Sequence, residues 1–193
     1  MLRVGIIGAT GYTGRELVRI LLRHSRVKIT CITSETYTGE AFSTIYPEFK
    51  GLCALTLESY TKEKIIENCD IIFSALPHGL SQDRVPELME LADRVIDLSG
   101  DFRLTKAELY KEWYGYKHKR PELLSQGIYG LPEINRSKIK EAQLVSNPGC
   151  FPTSVLLALA PALKSKIIDL ENIIIDSKSG VSGAGRTPKL AFH

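Results

Sequence analysis

Residues 2–14, LRVGIIGATGYTG, join a short apolar run rich in β-branched residues to three glycines at three-residue spacing. The run predicts a strand, and Gly14 opens an amphipathic pattern in which Leu17 and Leu21 lie at i, i+4 spacing. A strand that leads through a G-x-x-G-x-x-G turn into a helix is a variant of the dinucleotide-binding fingerprint. Glycine permits the tight turn and lets the backbone approach a diphosphate at the N-terminus of the helix.

Short β-branched runs alternate with helical patterns along most of the chain. The predicted strands are 3–7, 28–33, 71–76, 95–98, 144–146 and 172–177. The predicted helices are 14–22, 81–91 with Pro86 limiting its start or kinking it, one that Thr105 caps together with Glu108, and one from Phe151 or Thr153 to Lys164. This alternation predicts an α/β fold, a doubly wound parallel sheet covered by right-handed crossovers.

The domain organisation follows from a change of pattern near residue 150. We expect a Rossmann-like dinucleotide-binding domain over residues 1–149 and the beginning of a second, α+β substrate and dimerisation domain over residues 150–193. A glycine-rich loop, residues 179–186, lies close to His193, so the second domain is expected to be truncated.

The composition excludes several classes of protein. Of 193 residues, 44% are hydrophobic and 24% charged, and the formal net charge is +3, which excludes a mainly disordered chain. The longest basic cluster, KHKR at 117–120, predicts a solvated loop rather than a nucleic-acid or membrane surface. No signal peptide or membrane span is apparent, and the cysteines have no metal-like spacing. We therefore expect a reduced, cytoplasmic protein without a metal site.

The nucleotide preference is left open by the residues after the second predicted strand. Ser34, Glu35 and Thr36 follow it, where the fingerprint places an acid that binds the ribose 2′-hydroxyl. Glu35 suits that role with NAD, whereas Ser34 and Thr36 suit hydrogen bonds to the 2′-phosphate of NADP.

A cysteine stands in a rigid turn at residues 146–153, SNPGCFPT. Cys150 is predicted at or just before a helix N-terminus, where free amides stabilise a thiolate and a developing oxyanion. Prolines on both sides fix the turn, as a nucleophile requires. The alternative, a buried structural cysteine, is the expectation for Cys31, Cys53 and Cys69. A nicotinamide cofactor with a nucleophilic thiol indicates thiohemiacetal or thioester chemistry at the aldehyde level.

Five segments together carry a resemblance to a known family. They are GATGYTGREL (8–17), DLSGDFRL (97–104), YGLPE (129–133), SNPGCFPT (146–153) and SGVSGAGR (179–186). In this order the chain resembles the N-acetyl-γ-glutamyl-phosphate reductases of arginine biosynthesis, over the first half or a little more of such an enzyme. The resemblance implies reduction of an acyl phosphate to an aldehyde with NADPH and release of orthophosphate.

The resemblance also implies residue roles. Cys150 matches the nucleophile that forms the thioester, Arg103 a phosphate-binding arginine, and Asn147 a residue that holds the substrate beside the thiol. A guanidinium suits phosphate because it binds two oxygens at once, although the residues alone equally allow an ion pair between Arg103 and Asp101. The implied cofactor contacts are Gly8, Thr10, Gly11, Tyr12, Thr13, Gly14, Ser34, Thr36, Pro77 and, near the nicotinamide, Ser182, Gly183 and Ala184. His78 is expected near the ribose or solvent rather than as an acid or base.

Two departures from the family and two alternative functions remain open in the sequence. Glu35 stands where relatives more often have arginine, and the acid/base histidine of the family is expected further along than His193. The alternatives are a reductase of lysine biosynthesis acting on a carrier-linked aminoadipyl phosphate, and a non-catalytic cofactor-binding fragment. Cys150 in its rigid turn argues against the latter. We expect a homodimer or homotetramer that binds a small acyl phosphate and neither nucleic acid nor membrane.

Overall fold

The computed structural model describes residues 1–186, which form one six-stranded sheet with helices on both faces. The strands are β1 (Leu2–Ile7), β2 (Val27–Thr33), β3 (Ile71–Ser74), β4 (Arg94–Asp97), β5 (Gly127–Tyr129) and β6 (Leu144–Ser146). The helices are α1 (Tyr12–Leu21), α2 (Phe42–Ile45), α3 (Lys62–Asn68), α4 (Ser81–Leu91), α5 (Glu108–Tyr114), α6 (Pro132–Glu141) and α7 (Cys150–Lys164), with 3-10 turns at Pro47–Phe49, Pro121–Leu123 and Val181–Ala184.

The strand order places the loops that follow the strands at one edge of the sheet. The order is β2-β1-β3-β4-β6-β5 and every pair is parallel, so all the strands end on the same side. The chain turns in opposite directions from β1, to β2 on one side and to β3 on the other. Such a switch point opens a crevice at the carboxyl ends of the strands, where ligands bind in open α/β sheets. The fold class predicted from the sequence is confirmed.

Two apolar clusters, one on each face, hold the helices to the sheet. One cluster includes Val18 of α1, Ile32 of β2 and Phe42 of α2, and the other includes Ile72 of β3 and Leu88 of α4, all of them buried. Burial on both faces explains why the central strands read as continuous apolar runs rather than alternating patterns.

Most elements predicted from the sequence are confirmed within a few residues, and two predictions are wrong. Residues 172–177 form no strand: Ile174 is 97% exposed, and no neighbouring strand within residues 1–186 supplies the hydrogen bonds that an isolated strand lacks. Thr105 does not cap α5, which begins at Glu108 after Ala107. Residues 105–107 lie outside the helix, and the hydroxyl of Tyr110 hydrogen-bonds both the amide and the oxygen of Leu104, just before Thr105.

The structure also adds elements that periodicity does not indicate. Strand β5 has three residues and lies at the sheet edge, while α3 and α6 carry few apolar side chains. The basic cluster at 117–120 is exposed as expected, except that the side chain of His118 is buried against Phe102 and Tyr110. Pro86 lies inside α4, which runs through it. None of the helices in residues 1–186 combines the length and apolarity needed to cross a membrane.

Candidate active site

The turn after β1 has the geometry of a diphosphate-binding loop. Gly8 has a φ of +82°, and a Cβ there would lie 2.8 Å from the carbonyl oxygen of Ala75. Gly14 brings α1 so close to the turn that a Cβ would lie 2.5 Å from the Gly8 oxygen. Helix α1 has no side-chain cap at Gly11 and no acidic residue in its first turn. Its first amides are therefore available to an anion.

The crest of this turn, which is formed by Gly11, is open to a ligand. A Cβ on Gly11 would meet a single neighbouring atom among the described residues, the Gly8 oxygen at 3.7 Å. Tyr12 and Thr13, which follow, are exposed. An open crest with unused amides fits the diphosphate of a nicotinamide dinucleotide.

The end of β2 lies beside the turn, as the fingerprint requires. Ser34 is buried, and its hydroxyl lies 3.0 Å from the hydroxyl of Thr10. Glu35 and Thr36 are exposed, and the Glu35 carboxylate accepts a hydrogen bond from the amide of Tyr60 at 3.4 Å. Ser34 and Thr10 are thus brought together, while the carboxylate of Glu35 is engaged elsewhere.

The loop after β3 forms the opposite wall of the crevice. The amide of Ala75 donates to the oxygen of Ile7 at 2.9 Å, which fixes the loop beside the turn after β1. Pro77 lies in this loop and is exposed. The adjacent His78 accepts a hydrogen bond at Nδ1 from the amide of Gly100 at 2.7 Å. The imidazole is therefore held against the loop after β4.

A buried carboxyl group fastens these loops together. The side chain of Asp101 accepts hydrogen bonds from the amides of Gly79 and Gln82, each at 2.8 Å, and from the hydroxyl of Tyr116. Asp101 thereby caps the start of α4 from a distant loop. The ion pair with Arg103 that the residues alone allow does not form.

A second buried carboxyl group ends β4. Asp97 accepts hydrogen bonds from the hydroxyls of Ser81 and Ser99 at 2.5 and 2.7 Å. Burial raises the pKa of Asp97 above its ordinary value, although these two hydroxyls favour the ionised form. The network ties the end of β4 to the first residue of α4.

Cys150 is the first residue of α7, and its thiol is exposed, whereas Cys31, Cys53 and Cys69 are buried. The backbone leaves β6 and turns at Gly149, whose φ of −70° and ψ of 160° are extended. The helix has no side-chain cap and no acid in its first turn. Because Pro152 lacks an N–H, the amides of Cys150 and Phe151 are the ones that the start of this helix leaves without a partner within the helix. The predicted thiol at a helix N-terminus is confirmed.

Arg103 lies beside this turn. Its Nε donates to the oxygen of Asn147 at 2.7 Å, and its Nη2 donates to the oxygen of Leu98 at 2.9 Å. A Cβ on Gly149 would lie 3.2 Å from Nη1, a tight contact that the guanidinium would have to relieve by a small shift. The Asn147 side chain donates to the Pro148 oxygen at 3.2 Å. The structure therefore places a guanidinium next to the residue that precedes the thiol.

The second glycine loop approaches the first through its last described residue. Ser182, Gly183 and Ala184 form a 3-10 turn, and their predicted nicotinamide contacts stay a prediction. Arg186 donates from Nη1 to the oxygen of Thr10 at 3.2 Å. His193 lies outside the described residues.

Sequence reasoning did not single out Arg186 or the two tyrosines that support it. The Arg186 guanidinium lies over the rings of Tyr37 and Tyr46, 5.2 and 5.5 Å from their centroids. The signal in the sequence that could have pointed to Arg186 is its position as a cation at the end of a glycine-rich loop. The structure holds no group of three or more possible metal ligands in the part of the chain that it describes.

Comparison with protein families gives two consecutive matches. The family described as "Semialdehyde dehydrogenase, NAD binding domain" matches residues 3–142. The family described as "Semialdehyde dehydrogenase, dimerisation domain" matches residues 150–193.

Curated relatives are about half identical to the chain over the residues that they match. An N-acetyl-gamma-glutamyl-phosphate reductase of Desulforamulus reducens is 48% identical over 193 residues, which are 100% of this chain and 56% of that protein. A second, from Pelotomaculum thermopropionicum, is 51% identical over 191 residues, 99% of this chain and 55% of that protein. The chain thus spans little more than half the length of these relatives.

Solved structures share the fold at low identity. Aspartate semialdehyde dehydrogenase II of Vibrio cholerae has a TM-score of 0.66 and 21% identity, covering 96% of this chain and 48% of that one. Aspartate semialdehyde dehydrogenase with NADP from Candida albicans has a TM-score of 0.58 and 14% identity, covering 86% and 48%.

Proposed function

Because the chain belongs to the semialdehyde dehydrogenase family, whose NAD-binding domain it matches over residues 3–142, we propose that its protein is an N-acetyl-γ-glutamyl-phosphate reductase of arginine biosynthesis. The reaction converts N-acetyl-γ-glutamyl phosphate to N-acetylglutamate semialdehyde and releases orthophosphate. The observation that carries the proposal is the exposed Cys150 thiol at the start of α7, on the sheet edge that bears the dinucleotide turn. The reported relatives favour this acyl group over a carrier-linked aminoadipyl phosphate.

The cofactor proposed is NADPH, which supplies the hydride when bound. The open crest at Gly11 and the uncapped start of α1 support a diphosphate there. Ser34 beside Thr10 supports contacts on the ribose side, and Thr36 and Pro77, exposed in the loops after β2 and β3, are proposed to contact the cofactor too. Ser182, Gly183 and Ala184 are proposed to contact the nicotinamide end.

The chemistry follows from the position of the thiol. The Cys150 thiolate attacks the acyl carbon, the bond to the phosphate oxygen breaks, and the leaving phosphate is stabilised by Arg103. The resulting thioester receives a hydride at the same carbon, and its collapse returns the thiolate and frees the aldehyde. The amides of Cys150 and Phe151 are placed to bind the negative oxygen in both steps, and Asn147 is proposed to hold the substrate.

The assembly proposed is a homodimer or homotetramer with a domain boundary between residues 149 and 150. The two family matches, ending at 142 and beginning at 150, support that boundary. Helix α7 has no buried residue, and large apolar side chains are exposed on it and after it, namely Phe151, Leu157, Ile167, Leu170 and Ile174. Such a surface supports packing against further parts of a dimerisation domain. The four free thiols support a reducing, cytoplasmic location.

The test is the reverse reaction of the protein that carries this chain. N-acetylglutamate semialdehyde, orthophosphate and NADP⁺ are mixed with the protein, and NADPH absorbance is followed. We expect Cys150→Ser to lower the rate at least about a thousandfold, whereas Cys53→Ser, at a buried thiol, retains activity. Equal rates with aspartate semialdehyde would refute the substrate, and full activity of Cys150→Ser would refute the nucleophile.

A further inference from the structure

The guanidinium of Arg186 is held on the dinucleotide turn by two hydrogen bonds and two rings. Nη1 donates to the oxygen of Thr10 at 3.2 Å, and Nη2 donates to the hydroxyl of Tyr37 at 3.3 Å. The rings of Tyr37 and Tyr46 lie beneath it, with centroids 5.2 and 5.5 Å away. A guanidinium carries five N–H donors, so donors beyond these two hydrogen bonds remain for a ligand.

The charge of Arg186 is not neutralised by the surrounding residues. No carboxylate of residues 1–186 lies within 4.0 Å of it, and its side chain is exposed. Arg15 provides the contrast, since it also lies over the Tyr46 ring, at 5.3 Å, but is paired with Glu48 at 2.6 Å. Of the two cations on this ring, Arg186 is the one available to an anionic ligand.

Tyr37 connects Arg186 to the ribose side of the site. The Tyr37 amide donates to the hydroxyl of Ser34 at 3.3 Å, and that hydroxyl also lies 3.0 Å from the hydroxyl of Thr10. Thr10 therefore contacts Ser34 through its side chain and Arg186 through its carbonyl oxygen. The cation and the buried serine border the same end of the turn, where the fingerprint places the adenosine ribose.

The acid that would favour NAD has a hydrogen-bond partner outside the turn. An NAD site uses a carboxylate at the end of the second strand to bind the ribose 2′-hydroxyl, and a carboxylate there repels a 2′-phosphate. Glu35 occupies that position in the sequence, yet its carboxylate accepts from the amide of Tyr60. The ribose side is left with a hydroxyl from Ser34 and a positive charge from Arg186.

We propose that Arg186 is a specificity-determining residue that binds the 2′-phosphate of NADP together with Ser34 and so selects NADP over NAD. The inference rests on the proposed function in one respect, that a dinucleotide binds at the turn after β1. A guanidinium meets phosphate oxygens with paired N–H groups and keeps its charge at every physiological pH. The cation comes from the second glycine loop rather than from the strand end where the fingerprint places it.

The test measures binding rather than activity. Isothermal titration calorimetry of the protein that carries this chain uses four ligands: NADPH, NADH, adenosine 2′,5′-bisphosphate and 5′-AMP. Arg186→Met keeps the length and the contact with the rings but removes the charge. We expect it to weaken NADPH and adenosine 2′,5′-bisphosphate by roughly tenfold to a hundredfold, as the loss of a charged hydrogen-bonded pair does. NADH and 5′-AMP are expected to change by less than about threefold, because they carry no 2′-phosphate.

Arg15→Met is the matched control, because that guanidinium lies over the same ring but is paired with Glu48. It is expected to leave all four affinities unchanged. If Arg186→Met weakens NADPH and NADH equally, the arginine binds the diphosphate and the inference is overturned. An unchanged ratio with both dinucleotides bound also overturns the inference and leaves the proposed function intact. A wild-type protein that binds neither dinucleotide would overturn the two together.

Discussion

The three glycines of the dinucleotide turn are equivalent in the sequence but not in the structure, and Gly14→Ala tests the difference. In an exposed helix alanine is favoured over glycine by about 1 kcal/mol. Here the new Cβ would lie 2.5 Å from the Gly8 oxygen and 2.6 Å from the Cα of Ala9, both backbone atoms that cannot rotate away. Overpacking of this kind costs about 1–3 kcal/mol. We expect a net loss of up to about 2 kcal/mol in the free energy of unfolding, and a Tm lower by up to roughly 4–8 °C.

Gly11→Ala is the matched comparison within the same turn. Its Cβ would lie 3.7 Å from the Gly8 oxygen, an ordinary contact, and the φ of −75° suits alanine. We expect the free energy of unfolding to change by less than about 0.5 kcal/mol, while NADPH affinity falls at least about tenfold because the methyl group covers the crest.

Urea denaturation followed by circular dichroism measures the stability of both variants, and calorimetry measures NADPH binding. A Gly14→Ala protein as stable as the wild type would show that the close approach of α1 does not constrain this residue. Equal losses of stability in the two variants would show that glycine at any position of the turn serves the same purpose. Either result refutes the division of the turn into a packing glycine and a ligand-facing glycine.

Three further predictions concern other parts of the molecule. Iodoacetamide at neutral pH is expected to alkylate the exposed Cys150 at least about tenfold faster than the three buried cysteines, by peptide mass spectrometry, and equal rates would contradict the site geometry. In Asp101→Asn, the side-chain NH2 group faces backbone amides at the start of α4 that donate to the carboxylate in the wild type, so donor meets donor. Urea denaturation should show a loss of about 2 kcal/mol in the free energy of unfolding. The control Asp83→Asn, which breaks an exposed ion pair with Lys119, should change the free energy of unfolding by less than about 1 kcal/mol. Similar losses in the Asp101 and Asp83 variants would refute the capping of α4 by Asp101. The hydrogen bond to Arg3 lowers the pKa of Asp70, so its stabilisation is present above the ordinary carboxyl pKa and is lost as pH falls through the lowered one. Asp70→Asn should therefore have a lower free energy of unfolding than the wild type at neutral pH, and the difference should disappear in acid. A difference that stays constant with pH would contradict this pH dependence.

Local patterns predicted much of the sheet and the position of the thiol. Helix α4 has the predicted bounds, and β6 leads through Asn-Pro-Gly into α7 as expected. These features depend on neighbours within a few residues: apolar runs, turn residues and prolines. The strand predicted at residues 172–177 does not form, because an apolar run becomes a strand only beside a partner strand.

The sequence by itself determined the α/β fold, the diphosphate-binding turn and a cysteine at a helix N-terminus, because each is encoded in a short contiguous segment. The tertiary structure alone decided which groups those segments meet. Arg103 binds two backbone oxygens instead of Asp101, Glu35 accepts from the amide of Tyr60, and Arg186 reaches Thr10, 176 positions earlier in the chain. Such contacts depend on strand order and on which loops share the carboxyl edge of the sheet, and no local spacing contains that information.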